Sequence, residues 1–373
     1  MQTMEHLQIL IKPVSSDCNL RCAYCFYEDE SRKRSCRSYG RMTEETAETV
    51  IQKALDSAKI SCTFGFQGGE PVLAGLDFYK RFVKAVRERK KPNTKVFYTL
   101  QTNGTLVDGD WIPFLKKEKF LVGISLDGTK ELHNRNRRDA GGRDSYETAK
   151  QNAQKLINSG VDVNVLCVLT RQTARHIAAV YQNLKKEGFR YQQYIPCLDP
   201  LGEKRGAQPW SLPPKDYGNA LKTLFDLWVQ DFERGEQIYV REFNQWLDVL
   251  GGGQPQACVW VGRCSMQNVV EANGDIFPCD FYALDDCMVG NVQDESFQFG
   301  APSVTHTFFT RGRERGEDCP QCRWYPLCRG GCMRDYTEGE GGKQRNYYCE
   351  SYRAFFPYAI ERMEMLLRSG IRR

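Results

Sequence analysis

Histidine is scarce in this chain, with four among 373 residues, at positions 6, 133, 176 and 306. Imidazole is the usual nitrogen ligand of catalytic zinc, so this scarcity argues against a zinc enzyme. Long apolar runs are missing too: no stretch reaches the roughly eighteen residues that mark a membrane-spanning helix. The start, Met1-Gln2-Thr3-Met4-Glu5-His6, has neither the basic nor the apolar segment of a secretory signal. Charge of one sign is not in excess, since 52 Lys and Arg against 47 Asp and Glu leave only +5. Nothing in that balance draws nucleic acid, although Arg311, Arg313 and Arg315 form a local basic spot. Internal repeats and low-complexity tracts are absent. A cytoplasmic protein without nucleic-acid or membrane partners is expected.

Cysteine, by contrast, is abundant, with 16 residues. In a long chain without a secretory signal, that number points to metal rather than to disulfides. Sulfur-rich, imidazole-poor ligation favours iron–sulfur clusters. Such clusters are oxygen-sensitive, which makes an anaerobic cytoplasm the natural setting.

Apolar β-type runs alternate with amphipathic stretches over the first two-thirds of the chain. Strands are expected at 7–14, 62–67, 95–102, 121–126, 161–169 and 191–196. Helices are expected near 43–58, 76–90, 110–118, 145–159, 173–187 and 214–234. Six such β/α alternations imply an α/β fold with a parallel sheet covered by helices. The run Gly251-Gly252-Gly253-Gln254-Pro255, after a helical stretch at 240–250, marks a boundary between domains at 1–250 and 251–373. Nine cysteines fall between Cys258 and Cys349, so metal rather than a large apolar core is expected to hold the second domain. A helix over 349–367 closes the chain.

Cys18, Cys22 and Cys25 are spaced C-x3-C-x2-C. Three thiolates on one loop can hold three irons of a [4Fe–4S] cube and leave the fourth iron open to a small molecule. A zinc knuckle is the other chemistry open to such a triad. After the second expected strand comes Gly68-Gly69-Glu70-Pro71, where two glycines let the backbone approach a ligand and a carboxylate can accept from an ammonium group. Gln101-Thr102-Asn103-Gly104 and Ser125-Leu126-Asp127-Gly128 end the third and fourth strands, and polar groups there can line a site. Asn103 and Asp127 also suit turn capping, and Arg137 suits a solvated charged run. Tyr24 and Tyr27 flank the third thiol, where aromatic rings can shield a reactive centre or simply pack. Further on, Cys264-x9-Gly274-x4-Cys279 is followed by Cys319-x2-Cys322-x5-Cys328-x3-Cys332 and by Cys349. With Cys258 these make eight thiolates, enough for two fully ligated [4Fe–4S] clusters, with a pair of zinc-ribbon sites as the alternative. Asp280 follows Cys279, as a base beside a cluster or as a surface turn residue. Cys36, Cys62, Cys167, Cys197 and Cys287 fit no ligand pattern.

The N-terminal triad resembles the signature of the radical S-adenosylmethionine (SAM) enzymes, and the C-terminal array resembles their SPASM domain. Cys25-Phe26-Tyr27, Phe64 to Pro71, Leu73 to Leu76, Gln101 to Leu106, Thr173 to His176, Cys197 to Leu201 and Cys279 to Tyr282 resemble the anaerobic sulfatase-maturating enzymes. That resemblance implies a (β/α)6 partial barrel followed by a cysteine-rich iron–sulfur domain. It implies three [4Fe–4S] clusters, the first on Cys18, Cys22 and Cys25. The second would use Cys258, Cys264, Cys279 and Cys332, and the third Cys319, Cys322, Cys328 and Cys349. By the same resemblance Gly68, Gly69, Glu70, Ser125, Arg137 and Tyr24 contact SAM, Gln67 and Tyr27 contact the substrate, and Asp280 is the base. The implied reaction is oxidation of a sulfatase cysteine or serine, in a Cys/Ser-x-Pro/Ala-x-Arg segment, to Cα-formylglycine. A deoxyadenosyl radical takes the hydrogen atom from Cβ, and an electron donor such as flavodoxin or ferredoxin supplies reducing equivalents. The alternative is another radical SAM/SPASM peptide maturase, forming thioethers or crosslinks. Such enzymes carry an N-terminal peptide-binding domain, for which a first cysteine at position 18 leaves no room. A non-catalytic electron carrier would leave the open-iron triad and Gly68–Glu70 unexplained.

Overall fold

The computed structural model describes residues 4–300, 306–311, 318–338 and 344–369. Arg313, Arg315 and the side chain of Arg311, which make up the expected basic spot, lie outside the described residues.

In chain order the strands are β1 (Met4–Ile11), β2 (Ala58–Phe66), β3 (Lys95–Thr102), β4 (Phe120–Ser125), β5 (Asp162–Leu169), β6 (Tyr191–Pro196), β7 (Tyr239–Val240), β8 (Val269–Val270), β9 (Asp275–Phe277), β10 (Gly290–Asn291), β11 (Tyr336–Glu338) and β12 (Gln344–Asn346). The helices that matter below are α1 (Phe26–Arg32), α2 (Glu44–Ser57), α3 (Leu76–Arg89), α4 (Trp111–Lys117), α5 (Lys130–Asn136), α6 (Tyr146–Asn158), α7 (Arg171–Arg175), α8 (Ile177–Lys186), α9 (Pro214–Glu233), α10 (Arg241–Leu250) and α11 (Cys349–Arg368). Strands β3 and β6 fall where the alternation of apolar residues puts them. The helix expected over 173–187 is two helices, α7 and α8, because His176 leaves helical geometry at φ −113° and ψ 23°. Helix α7 has its own start signal, a reciprocal capping box between Thr170 and Thr173. Strand β1 stops at Ile11, and Pro13 follows, which cannot donate to a ladder.

Two compact units form. The first comprises Met1–Leu126, Asn134–Asn164 and Met266–Phe308. Its sheet runs β10-β9-β8-β1-β2-β3-β4, with β1 to β4 parallel and β8 parallel to β1, while β9 and β10 are antiparallel to their neighbours. The register aligns Ile11 with Phe66 and Phe66 with Leu100, so Lys12, Gln67 and Gln101 emerge side by side at the carboxyl ends of adjacent strands. Along β3 the residues alternate. Tyr98, Leu100 and Thr102 are buried, whereas Phe97, Thr99 and Gln101 are at least partly open. The buried face meets α3 through an aromatic core of Phe64, Phe66, Tyr79, Phe82, Tyr98 and Phe120.

The second unit comprises Asp127–His133, Val165–Ser265 and Phe309–Arg373. It contains β5 from Val165 onward, the strands β6 and β7 parallel to it, and the antiparallel pair β11–β12. Helices α9, α10 and α11 pack around Phe225, Phe243, Trp246, Tyr352 and Phe355. Gly218 lets α9 approach α11 closely, since a Cβ there would lie 3.2 Å from the Ser351 Cα. Among the described residues no helix is long and apolar enough to cross a membrane.

Candidate active site

Cys18, Cys22 and Cys25 sit on the loop between β1 and α1, and Cys25 is the N-cap residue of α1. Two backbone bonds clamp this loop to the segment after α5: Arg21 N to Arg138 O at 2.6 Å and Ala23 N to Asn136 O at 2.9 Å. The Cys18 sulfur accepts from Leu20 N at 3.4 Å and lies 3.8 Å from Asn103 Nδ2. Backbone N–H groups of Glu28 and Tyr27 point at the Cys25 sulfur. The same arrangement, a sulfur receiving the N–H two residues on, recurs at Cys279 with Phe281, Cys328 with Gly330 and Cys332 with Arg334. Such N–H groups stabilise a thiolate and are among the features that tune iron–sulfur clusters. Without a cation, burial pushes the Cys18 thiol up to about 11. A metal centre would have to displace that proton, since the ligand is the thiolate. Arg137 lies with Nη1 4.0 Å from the Cys22 sulfur and its guanidinium 5.3 Å from the centre of the Tyr24 ring.

The Gly68–Glu70 turn lies directly against that loop. Gly69 has φ +54°, and a Cβ there would fall 2.2 Å from the Asp17 carbonyl oxygen. Glu70 N donates to that same oxygen at 2.7 Å. Gly68, at φ +96°, packs on the Lys12 stem. Glu70 is 0 % exposed, and its carboxylate accepts from Val72 N (3.1 Å), Thr102 Oγ1 (2.7 Å) and Asn103 N (2.8 Å). Burial raises it to about 7 against those donors. It ties its own turn to the carboxyl end of β3 and fixes Asn103 beside Cys18. Ser125, at the end of β4, accepts from Gln101 Nε2 at 3.1 Å.

Asp280, Tyr27 and Gln67 converge. Tyr27 donates its hydroxyl proton to Asp280 Oδ2 at 2.6 Å, and Gln67 Nε2 donates to the same oxygen at 3.0 Å and to the Tyr27 hydroxyl at 2.5 Å. The Asp280 N–H is fixed by Gln267 Oε1 at 2.9 Å. Asp280 is 6 % exposed, and its pKa is raised by burial, with Lys12, Tyr27 and Gln67 acting in the opposite direction. A carboxylate that holds a proton more readily is a better base near neutral pH. Lys12 Nζ lies 3.8 Å from Asp280 Oδ1 and 5.0 Å from the centre of the Tyr27 ring. Behind it stand Glu30 at 3.8 Å and Glu271 at 3.4 Å, and Glu271 is bound in turn by Arg34 Nη1 at 2.5 Å.

Of the auxiliary cysteines, Cys319, Cys322, Cys328 and Cys349 line one cavity of about 310 Å³ in the second unit, together with Trp324, Arg345 and Tyr352. Cys258 and Cys264, also in that unit, lie close enough to Cys332 to help raise its thiol, after burial and Asp335. Cys279 belongs to the first unit, where its sulfur caps the short turn Asp280–Tyr282. Cys62, Cys167 and Cys197 are buried, and Cys36 and Cys287 are half-buried.

Sequence reasoning did not single out Lys12, Glu30, Arg34 or Glu271. Lys12 carried one usable signal, a lone cation inside an otherwise apolar strand run. The others lie in ordinary charged stretches, and only folding makes them neighbours.

The sequence profile described as the radical SAM superfamily matches residues 13–184. The chain is 43% identical, over 96% of its own length and 98% of the relative's, to a protein of Clostridium perfringens (strain 13 / Type A) named cysteine-type anaerobic sulfatase-maturating enzyme. It is 26% identical, over 96% and 91% of the two chains, to one of Bacteroides thetaiotaomicron named serine-type anaerobic sulfatase-maturating enzyme. The crystal structure described as native anSMEcpe with bound AdoMet and Cp18Cys peptide superposes with a TM-score of 0.91 at 42% identity, covering 98% of this chain and 99% of that one.

Proposed function

This chain belongs to the anaerobic sulfatase-maturating enzymes, a branch of the radical SAM superfamily, and we propose that Asp280 is the base with which it oxidises a sulfatase cysteine to Cα-formylglycine. The reaction is a two-electron oxidation at the substrate Cβ, which turns the thiol into a thioaldehyde; water then hydrolyses the thioaldehyde to the aldehyde and hydrogen sulfide leaves. SAM on a three-thiolate cluster supplies, when bound, the one-electron chemistry that removes the Cβ hydrogen, and fully ligated clusters supply a sink for the second electron. The chain's own residues do the rest. Cys18, Cys22 and Cys25 hold the first cluster, and Tyr24, Gly68, Gly69, Ser125 and Arg137 surround SAM, with Glu70 bracing that wall. Gln67 and Tyr27 orient both the substrate side chain and the Asp280 carboxylate, which takes the thiol proton.

The single observation behind this reading is the buried Asp280 carboxylate with two protein donors on Oδ2. A surface turn aspartate needs no such support. Preference for cysteine over serine follows from identity: relatives named cysteine-type share 42–43% with this chain, and those named serine-type share 26–27%. Residues 1–250 then carry the (β/α)6 partial barrel and 251–373 the SPASM domain. One auxiliary cluster is held by Cys258, Cys264, Cys279 and Cys332 and the other by Cys319, Cys322, Cys328 and Cys349. The four thiols around the 310 Å³ cavity support the latter assignment, since zinc would require them to meet at a point. A low-potential protein such as flavodoxin or ferredoxin delivers the electrons.

The test is anaerobic incubation of the iron-loaded protein with SAM, a reductant and a sulfatase peptide containing Cys-x-Pro-x-Arg. The expected product carries an aldehyde that a hydrazide traps. A crosslinked or thioether product would move the protein to the other peptide maturases.

A further inference from the structure

Five ionisable side chains meet in the first unit with almost no access to water: Lys12 is 2 % exposed, Arg34 7 %, Glu30 3 %, Glu271 0 % and Asp280 6 %. Two cations face three carboxyls. With every group ionised the cluster would bury a net negative charge, which is strongly disfavoured in a low-dielectric interior. One carboxyl must therefore hold a proton, and hydrogen bonding decides which. Glu271 is bound by Arg34 at 2.5 Å and faces Lys12 at 3.4 Å. Asp280 accepts from Tyr27 and Gln67. Among the described residues Glu30 has only a long bond at Oε1, from Ala283 N at 3.4 Å, and neither its Oε2 nor Asp280 Oδ1 has a hydrogen-bond partner, so Glu30 is the less supported of the two carboxylates. Lys12 Nζ stands midway, 3.8 Å from that Glu30 oxygen and 3.8 Å from Asp280 Oδ1.

We propose that Lys12 is a positioning residue for Asp280 and that Glu30 carries the cluster's resting proton, so that the ammonium is directed to Asp280 instead of being divided between two carboxylates. The proposal rests on the reading of Asp280 as the working base. The Gln67 and Tyr27 donors fix one carboxylate oxygen, and Lys12 faces the other across 3.8 Å as its nearest cation. The Glu271–Arg34 pair anchors Lys12 from behind. Burial raises Glu30 to about 8, against Lys12 and Arg34, which agrees with a proton held there at neutral pH. The groups facing Glu30 are Lys12 just after β1, Tyr27 on α1, Arg34 after α1, and Asp280 with the Ala283 N–H, while Glu271 after β8 shares Lys12 and Arg34 with it. Above about pH 8 Glu30 ionises and competes for the Lys12 ammonium.

Two measurements on the iron-loaded protein test this. The first compares formylglycine formation in wild type and K12M, or K12Q if K12M does not fold. The expected result is a fall in kcat of about 100-fold with the peptide KM held within about threefold, SAM cleavage continuing. A kcat within about twofold of wild type overturns the role of Lys12. The second is the infrared difference spectrum between wild type and E30Q, with the pH profile of each. The expected result is a protonated-carboxyl C=O stretch present only in wild type at pH 7 and lost above about pH 8, with an alkaline fall in kcat that E30Q removes. No such band at pH 7, or an unchanged alkaline fall in E30Q, overturns the role of Glu30. Wild type that makes no formylglycine sinks the reading of the reaction itself, while the infrared arm still decides the location of the proton.

Discussion

A base is effective when its charged form is held in place yet still accepts a proton, and the surroundings of Asp280 meet both conditions. Burial favours the protonated acid, while Tyr27, Gln67 and Lys12 favour and orient the carboxylate. Asp280→Asn keeps the shape and removes the basicity, so formylglycine formation should fall by about 100-fold or more while SAM cleavage persists. Mass spectrometry of both products checks this, and undiminished formylglycine would remove Asp280 from the role. Tyr27→Phe removes one donor and leaves Gln67, so its loss should be smaller, on the order of tenfold. Glu30 has a separate effect on stability. Its ordinary value is 4.5 and its folded value about 8, so between these limits the folded chain keeps a proton that the unfolded chain has lost. Stability therefore decreases as pH rises through that window, and the loss is complete above about 8. Thermal melts of wild type between pH 6 and 8 should show the decline, and Glu30→Gln should flatten it.

At the scale of elements, the close contact between the Gly68–Glu70 turn and the cysteine loop is what holds that loop in place. The contact is backbone on backbone, and Glu70 N already bonds the oxygen that a Cβ at Gly69 would strike. Gly69→Ala must therefore separate the two segments or strain a positive φ. A destabilisation of about 2–3 kcal/mol follows, measurable by chemical denaturation, together with weaker SAM binding. Thr170→Ala is a contrasting case. It removes the capping box of α7 and should cost about 1 kcal/mol. Chemical denaturation of the two variants side by side compares the two costs.

For the whole molecule, the cysteine-rich segment of the second unit is organised around a cavity lined by four thiols. The three proposed cubes correspond to about twelve irons, so with Cys349 as a ligand of one of them Cys349→Ser should lower iron content by about four per chain. It should also lower the melting temperature, because ligand binding to the folded state is folding free energy. Iron and sulfide analysis of anaerobically prepared protein decides this, and an unchanged iron count would remove Cys349 from the ligand set.

Spacing along the chain is a covalent property, and much of the site was written in it. Cys18, Cys22 and Cys25, the Gly68–Glu70 turn and the Cys319–Cys332 array are local patterns, legible before any folding. The six β/α alternations were legible for the same reason, since a strand's period follows from neighbouring residues alone. Resemblance added Asp280, Gln67 and Tyr27 as names on a list, without their mutual geometry. Only the tertiary structure decided that Tyr27 and Asp280, 253 positions apart, share a hydrogen bond. It alone put Lys12 between Asp280 and Glu30, and it turned Glu70 inward to brace the end of β3. Charge partners inside a fold are chosen by the register of parallel strands and by where the chain returns, and neither leaves a trace in local spacing.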